Sequence, residues 1–553
     1  MKLQPTLLIM VVFNCATMAD ARDPKTISSE YRAERKAPQA TEKKFTPLKP
    51  GQRVDLLQVP TWSRADMQFF LHGSLGTEVV PERVLAAFVM TYPDLFPDSD
   101  LATFGLIPDP SVSLPIGFSR REVKHLGGMS AVGINCASCH AGEIQSSEGQ
   151  RVRVLGMTAH FDVETFFGAV IVATFRTQDP TNMERFLGHY FHACSPNANS
   201  ATRASFDIAL RKQRAQIAAA ITEDPSGSKG VAAGALHILE PADLRLDRKL
   251  ATSGDVTATV HALLKLFHNI RAALHVPDAP PAAAPLPNGG GRNDAWGLLS
   301  YALFGIATQP APIKFGLVWN VDRRAWVHCD GNNNAPIIRN LAAALGLGAP
   351  MIEGRGYLDF RVVQRQTALS QKIRPPRYPW MIDLEVADRG AKIYGANCAS
   401  CHDGPETDAR LYSPAEIGTD ANRAKLFDAQ QRDLHNKLFT GVKVEGYTPP
   451  PTAPFRSTGK YWSPDLAGVW ARAPYLHNGS VRTMDQLLTP SAAREKTWKR
   501  GTRVYDADAM GYVNEGSYVF DTSGAGNSNA GHDYGTNLSA TEKRDLIEFL
   551  KSK

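Results

Sequence analysis

The chain has 553 residues, of which 43% are hydrophobic, and a formal net charge of +6 at neutral pH. This length exceeds what one hydrophobic core normally holds, so the composition predicts a globular protein of roughly two to four domains. The charge is modest and no dense run of Lys or Arg occurs, which argues against nucleic acid as a partner.

The first residues, MKLQPTLLIMVVFNCATMADARDP, are typical of a secretory signal peptide. Lys2 precedes an apolar run from Leu7 to Phe13, and Ala19-Asp20-Ala21 matches an A-x-A cleavage site. The run is too short to span a bilayer, and no later segment reads as a transmembrane helix. A buried helix or strand is the alternative. The pattern favours a signal peptide at residues 1–21 and a periplasmic or secreted protein.

The next regions follow in chain order. Residues 22–110 form an N-terminal extension whose charged, Pro-containing start predicts an extended arm. Residues 201–224 predict an amphipathic helix ended by a proline, and residues 256–276 predict a second helix. The Pro/Gly-rich stretch at 277–294 predicts a loop.

The hexapeptide NCASCH occurs twice and ends in His140 and in His402. Each copy holds a Cys-x-x-Cys-His motif, the signature of c-type haem attachment. Two thiols one turn apart reach the two vinyl groups of a porphyrin, and the adjacent histidine reaches the iron. A zinc site would need further Cys/His pairs at short spacing, and a thioredoxin-like redox pair is the other alternative. The sequence therefore predicts two covalent c-type haems.

The predicted haem attachment residues are Cys136, Cys139 and His140 for the first haem, and Cys398, Cys401 and His402 for the second.

The second motif lies in a segment with the plan of a class I cytochrome c domain. The stretch VADRGAKIYGAN predicts an amphipathic helix directly before Cys398. Ser539 and Glu542 form a capping-box pattern that opens a C-terminal helix. We therefore predict a mainly α fold with two cytochrome c-like haem domains, long loop-rich insertions and little β structure. The first haem domain spans 111–375 and the second 376–553, joined by a linker at 373–380.

The role of each haem depends on its sixth ligand, since a haem ligated on both faces carries electrons and an open one binds oxygen or peroxide. His477, in VWARAPYLHNGSV, lies at a separation from His402 that is normal for a sixth ligand. His532 lies in a polar loop and is interpreted as a hydrogen-bonding or propionate-side residue. The other rivals are His435, Met484 and Met510.

For the first haem the candidates are Met157, His160 and His125. Each is equally consistent with a packing or surface residue, and we favour a first haem without a strong protein sixth ligand. Outside the motifs, Cys194 and Cys329 could form a disulfide in an oxidising compartment, or be two buried thiols.

Several stretches resemble a known family. GRNDAW (291–296) is similar to a segment found between the haem motifs of the di-haem cytochrome c peroxidase superfamily. Further stretches resemble its rubber oxygenase branch more closely, and the resemblance covers roughly residues 110–553. These stretches are GINCASCHAGE (133–143), CDGNNNAPIIRNLAAALGLGAP (329–350), LAGVWARAPYLHNGSV (466–481) and GNSNAGHDYGTNLSATEKRDLIEFLK (526–551).

The resemblance implies that the first haem, with His140 proximal, is catalytic and that the second is bis-histidine, with His402 and His477. The methionine ligand typical of the peroxidases is replaced by Ser491. Trp296 stands where the branch has Phe, and would lie in the pocket beside the catalytic iron. Cys329 stands where the branch has Trp.

The leading hypothesis is an exported di-haem dioxygenase that binds O2 at the first haem and oxygenates an apolar unsaturated molecule, either a polyisoprene-like polymer or an unsaturated fatty acid. The second haem would tune the first or replenish its electrons. One alternative is a peroxidase that reduces hydrogen peroxide with electrons from a small cytochrome c or cupredoxin, with Glu143 as a candidate distal acid. A non-catalytic electron carrier is the other.

Overall fold

The computed structural model describes residues 53–55, 58–192, 200–231, 236, 256–274, 276, 288–293, 311–352, 355–356, 358–403 and 410–553. The signal peptide at 1–21, Cys194 and Trp296 lie outside these residues. Export, the Cys194–Cys329 disulfide and the role of Trp296 therefore stay predictions.

The fold is mainly helical, as the sequence predicts, but it is mixed, because many short strands accompany the helices. The helices are α1 (Arg64–His72), α2 (Glu82–Thr91), α3 (Cys136–His140), α4 (Val163–Arg176), α5 (Pro180–His192), α6 (Ser200–Lys212), α7 (Arg214–Glu223), α8 (Val256–Ala273), α9 (Pro336–Gly346), α10 (Phe360–Ser370), α11 (Leu384–Asn397), α12 (Ala399–His402), α13 (Pro414–Ile417), α14 (Asn422–Leu426), α15 (Ala429–Gly441), α16 (Met484–Leu487) and α17 (Ala540–Lys551). Short 3₁₀ turns lie at Pro97–Ser99, Leu101–Phe104, Val321–Arg323, Val469–Arg472 and Ser491–Ala493.

The strands are short. They are β1 (Arg53–Asp55), β2 (Val80–Pro81), β3 (Phe118–Val123), β4 (Met129–Ile134), β5 (Ala141–Gln145), β6 (Arg151–Leu155), β7 (Met351–Ile352), β8 (Arg355–Gly356), β9 (Leu411–Tyr412), β10 (Tyr461–Trp462), β11 (Thr497–Arg500), β12 (Tyr505–Asp506), β13 (Gly511–Tyr512) and β14 (Tyr518–Asp521).

Two three-stranded sheets surround the first motif. One has the order β1-β6-β5, with β1 parallel to β6 and β5 antiparallel to it. The other has the order β2-β4-β3 and is antiparallel throughout. Helix α3, which carries the motif, follows β4 and leads directly into β5. The first motif is thus held between strands, a setting that the sequence analysis did not predict.

The second motif has the helical setting that the sequence predicts. Helix α11 begins at Asp383, whose side chain accepts from two backbone N–H groups, and it ends directly before Cys398. Helix α17 begins at the predicted capping box of Ser539 and Glu542. The two helices cross at Gly390, where a Cβ would lie 2.0 Å from the Asp545 carbonyl oxygen. Both predicted helices are confirmed.

Three other predicted segments differ in detail. Residues 201–224 form two helices, α6 and α7, because the backbone of Gln213 (φ −96°, ψ 6°) leaves the helical region. The second predicted helix is α8. The predicted linker at 373–380 has no helix or strand, yet Ile373 and Tyr378 are buried. That connection is therefore part of the core.

Hydrophobic packing is continuous across the predicted boundary between residues 375 and 376. One buried cluster joins Ile144 and Val152 of the first sheet to Trp319, Trp470 and Leu546. Strands of the first half and the C-terminal helix therefore share a core. Within the described residues, none of the helices combines the length and apolarity needed to cross a membrane.

Gly390→Ala should lower the free energy of unfolding by about 1–3 kcal/mol, because the added Cβ meets the backbone of α17. Gly395→Ala is the matched control in the same helix, since its Cβ meets nothing within 4 Å. The control should stabilise the protein by ~0.5–1 kcal/mol. Denaturant titration followed by circular dichroism measures both, and equal effects would contradict a tight helix crossing.

Candidate haem sites

Both Cys-x-x-Cys-His motifs line one cavity of about 460 Å³. Cys136, Cys139 and His140 contribute to its wall, and so do Cys398, Cys401 and His402. Two motifs far apart in the sequence therefore face a common space. This arrangement is the central feature of the candidate site.

The first motif is fixed by the residue before it. Asn135 is buried; its side-chain oxygen accepts from the Ala137 N–H (2.9 Å) and its amide donates to the Gly73 carbonyl (2.8 Å). Gly117, with φ +90°, lies against the turn, where a Cβ would be 2.2 Å from the Ser138 nitrogen. A side chain at position 117 would displace α3, so this close approach requires glycine.

The electrostatics around His140 keep its imidazole neutral. Desolvation is the main cause that lowers the pKa of His140 to about 3, and the nearby Arg339 guanidinium lowers it further. The Gly316 backbone acts in the opposite direction, although Nδ1 of His140 has no hydrogen-bond partner among the described residues. A neutral imidazole is the form that binds a metal, so this ring is ready to accept iron.

His402 is oriented by backbone and hydroxyl oxygens. Its Nδ1 lies 2.8 Å from the Pro464 carbonyl oxygen and 3.2 Å from the Ser463 hydroxyl. Because a carbonyl oxygen only accepts, Nδ1 must carry the hydrogen, and the neutral ring leaves a lone pair on Nε2. Desolvation lowers the pKa of His402, which favours this neutral form. A second-nitrogen hydrogen bond of this kind is usual for metal-binding histidines.

His532 is close to His402. The two ring centres are 6.2 Å apart, and the ring planes meet at 48°. Histidines on opposite sides of one metal have ring centres roughly 6 Å apart, because each metal–nitrogen bond is about 2 Å long. Desolvation is the main cause that lowers the pKa of His532 to about 4, and the neighbouring His402 lowers it further. The sequence analysis interpreted His532 as a hydrogen-bonding or propionate-side residue, since nothing local reveals a partner 130 residues away.

His477 also lines the cavity, but it lies against Tyr461. The two rings stack at a centroid distance of 4.2 Å, and the Tyr461 hydroxyl lies 3.2 Å from His477 Nε2. The structure therefore brings His477 into the common cavity and places His532 beside His402.

The candidates for the first haem's sixth ligand do not line the described cavity wall. Met157 is buried, with its sulfur packed against Gly142. The ring of His160 packs edge-on against Tyr512, and His125 is buried elsewhere. A histidine that the sequence analysis did not consider, His328, does line the wall.

Glu143, the candidate distal acid of a peroxidase, does not line the described cavity wall either. Glu143 lies on β5, directly after the motif, where it is buried with its carboxylate 3.5 Å from the Arg503 guanidinium. Ser491, at the position of the peroxidase methionine, binds the Asp533 carboxylate through its backbone N–H (2.7 Å) and hydroxyl (2.8 Å).

The charged residues of the described cavity wall are all cationic: Lys314, Arg324, Arg339, Arg423 and Arg472. None of the described lining residues is Asp or Glu. Each haem carries two propionates, which require cationic or hydrogen-bonding partners when buried. Two pairs of cysteines, the histidines and these cations therefore form a set of residues that fits two c-type haems.

Comparison with known proteins agrees with this chemistry. Residues 459–499 match the family model described as RoxA-like, cytochrome c-like. The uncharacterised protein y4iJ of Sinorhizobium fredii is 26% identical over 607 residues, covering 89% of this chain and 92% of its own length. The uncharacterised protein y4iM of the same organism is 31% identical over 43% of this chain and 63% of its own length. The matched segment supports a RoxA-like haem protein oxidoreductase with a c-type haem.

Removing either cysteine pair should halve the covalent haem content. Pyridine haemochrome spectra after acid extraction would measure this for Cys136→Ala/Cys139→Ala and for Cys398→Ala/Cys401→Ala. Cys329→Ala is the control, because Cys329 lines the same cavity outside either motif. Full haem content in either double variant would contradict two attachment sites.

Proposed function

We propose that this protein is an exported di-haem c-type oxidoreductase, a dioxygenase that oxygenates an apolar unsaturated molecule. The observation that carries the proposal is the single cavity shared by both Cys-x-x-Cys-His motifs. The RoxA-like segment at 459–499 supports the haem chemistry. The substrate class is either a polyisoprene-like polymer or an unsaturated fatty acid.

A c-type haem supplies oxygen binding and electron chemistry when it is bound. The residues of the chain hold and orient it. Cys136 and Cys139 would attach the first haem, and His140, whose buried ring is neutral, would hold the iron. Cys398, Cys401 and His402 would do the same for the second.

The composition of the wall beside the first motif supports an apolar substrate. Ile313, Phe315, Leu317 and Val318 all line the cavity near Gly316, the neighbour of His140. Binding sites for apolar molecules are lined mainly by such side chains, with few polar groups to fix orientation. Trp296 remains our proposed aromatic residue of this pocket.

The polar groups of the wall favour the dioxygenase over the peroxidase. Peroxide cleavage needs a distal acid or amide, and Glu143 pairs instead with Arg503. Among the described lining amides, Asn135 caps α3, while Asn340 donates to Thr367 Oγ1 (2.8 Å) and accepts from Arg339. Asn397 donates to the Ile393 carbonyl (2.9 Å). All three side chains already have structural partners.

For the second haem we infer that His532 would hold the iron together with His402. The ring spacing of 6.2 Å supports this pairing. The Tyr461 hydroxyl at 3.2 Å from His477 Nε2 gives His477 a different partner. The His477 assignment stays a competing prediction, which a pair of variants separates.

His532→Ala should convert the second haem from low-spin to high-spin, whereas His477→Ala should leave its spin state unchanged. Absorption and electron paramagnetic resonance spectra of the ferric protein measure the spin state. The reverse pattern, a change in His477→Ala alone, would restore His477 as the ligand.

The wild-type protein should consume oxygen when given an unsaturated fatty acid or polyisoprene without added peroxide. An oxygen electrode with product analysis measures this, and His140→Ala should abolish it, because that variant removes the ligand that holds the first iron. Peroxide-dependent oxidation of a reduced cytochrome c, without oxygen uptake, would favour the peroxidase. Failure of the ferrous protein to bind carbon monoxide would favour an electron carrier.

A further inference from the structure

The two most exposed large hydrophobic side chains among the described residues lie three positions apart. Met381 is 94% exposed and Leu384 is 73% exposed, and the next, Val519, lies on a different element, β14. Trp380 and Ile382, beside them in the chain, are half-buried. Single exposed apolar residues are common, but several together mark an interaction site. We call the four side chains at 380, 381, 382 and 384 the apolar patch.

Acidic side chains lie around the apolar patch. Asp383, Glu385 and Asp388 are exposed at the start of α11. Glu548 approaches from α17, and its carboxylate accepts from the Asp383 N–H at 2.8 Å. Two helices therefore bring carboxylates to the same surface.

Two further carboxylates lie on this side of the protein. The ring of Tyr378 lies 5.3 Å from that of Trp380. Burial raises the pKa of Tyr378, and the carboxylates of Glu548, Asp508 and Asp506 raise it further. These groups complete an acidic rim, which consists of Asp383, Glu385, Asp388, Asp506, Asp508 and Glu548.

The cations next to the apolar patch do not balance the acidic rim. Residues 376–390 contain three acids and two arginines, and one of these, Arg389, donates to the Asp545 carboxylate at 2.8 and 3.0 Å. On α17, Lys551 pairs with Glu548. The whole chain has a formal charge of +6, so this surface is acidic on a protein that is basic overall. Charge complementarity favours a partner with a basic contact surface.

Trp380 connects the apolar patch to the cavity wall. Its ring lies 6.2 Å from that of Trp470, and it stacks on Tyr505 at 5.9 Å with the ring planes 25° apart. Trp470 is fully buried in the 3₁₀ turn Val469–Arg472, and both end residues of that turn line the cavity. A tryptophan at the surface therefore contacts a buried one beside the cavity.

The elements beneath the apolar patch belong to the second haem motif. Helix α11 begins beside the patch and ends directly before Cys398. The Pro464 carbonyl, which lies 2.8 Å from His402 Nδ1, belongs to the same chain segment as Trp470. Electrons tunnel faster through packed atoms than across gaps, so Trp380 and Trp470 offer a path from the surface to this site.

We propose that the apolar patch and the acidic rim bind a small electron-carrier haem protein whose exposed haem edge is surrounded by lysines. The ferrous iron of the carrier gives one electron to the ferric haem at Cys398, Cys401 and His402, and no bond or proton moves with it. This inference rests on the proposed function only in requiring a c-type haem at the second motif. Interfaces for electron transfer are small and transient, and their charges mainly steer the encounter.

Isothermal titration calorimetry of the ferric holoprotein with a ferric, lysine-rich cytochrome c tests the surface without turnover. Binding should weaken as salt is raised, because salt screens the charges. Met381→Lys and Leu384→Lys should each weaken binding about tenfold or more, since each removes an apolar contact and repels the lysines. Val519→Lys is the matched control, the same change of charge at an exposed residue of β14, and should leave Kd unchanged.

Two further measurements test the identity of the partner. Succinylated cytochrome c, whose lysines carry carboxylates, should not bind, and binding equal to that of the unmodified protein would overturn the proposal. Sedimentation velocity of the protein alone tests a second copy of the chain as the occupant. A dimer that Met381→Lys or Leu384→Lys dissociates would assign the apolar patch to that copy and overturn the proposal.

Stopped-flow absorption follows the oxidation of ferrous cytochrome c by the ferric holoprotein, without oxygen or substrate. Trp380→Leu should slow electron transfer at saturating cytochrome c, and Trp380→Phe should slow it less, because Phe keeps an aromatic ring against Trp470. Trp62→Leu is the control, at another half-buried tryptophan. Equal rates in Trp380→Leu and the wild type would contradict the path through Trp380.

The failure of this inference and that of the proposed function are distinguishable. Oxygen uptake with the unsaturated substrate, combined with normal cytochrome c binding in both lysine variants, would overturn the docking surface alone. No oxygen uptake, combined with weakened binding in both variants, would overturn the dioxygenase alone. Full haem content in Cys398→Ala/Cys401→Ala would remove the second haem and overturn both proposals.

Discussion

The candidate site depends on one requirement, that each iron-binding histidine present an unprotonated ring nitrogen to the cavity. A buried imidazole has two nitrogens, and a hydrogen bond to an oxygen acceptor fixes which of them carries the hydrogen. For His402 this acceptor is the Pro464 carbonyl. Desolvation keeps both rings neutral, whereas Nδ1 of His140 has no hydrogen-bond partner among the described residues. The backbone at residue 464 is therefore as much part of the site as His402.

The side chains that line the cavity also place positive charge in the interior of the protein. Its described wall is cationic and apolar, with Arg and Lys side chains but no Asp or Glu. Arg324 and Arg472 pair with Asp465, and Arg423 pairs with Asp330, at 3.6–3.9 Å, and the propionates of bound haem would add to these partners. Because a group that binds only the folded chain stabilises it, folding and haem attachment are expected to be coupled.

The most local features could be predicted from the sequence. The haem motifs depend on a spacing of a few residues, and helices α11 and α17 depend on periodicity and on the Ser539–Glu542 capping box. The break at Gln213 between α6 and α7 was missed, because apolar periodicity continues through it. The strands on either side of the first motif were missed as well. The short runs that form β4 and β5 have no helical or strand periodicity strong enough to distinguish them.

The sequence by itself determined the chemistry of attachment, since Cys-x-x-Cys-His places two thiols and an imidazole on one turn wherever it folds. Only the tertiary structure decided which further histidines meet each motif. His532 lies beside His402, and His477 stacks on Tyr461. The physical reason is distance along the chain. The residues that attach the haem are sequence neighbours within one helical turn. A sixth ligand lies on a loop that is remote in sequence, and the position of that loop depends on the packing of the whole core.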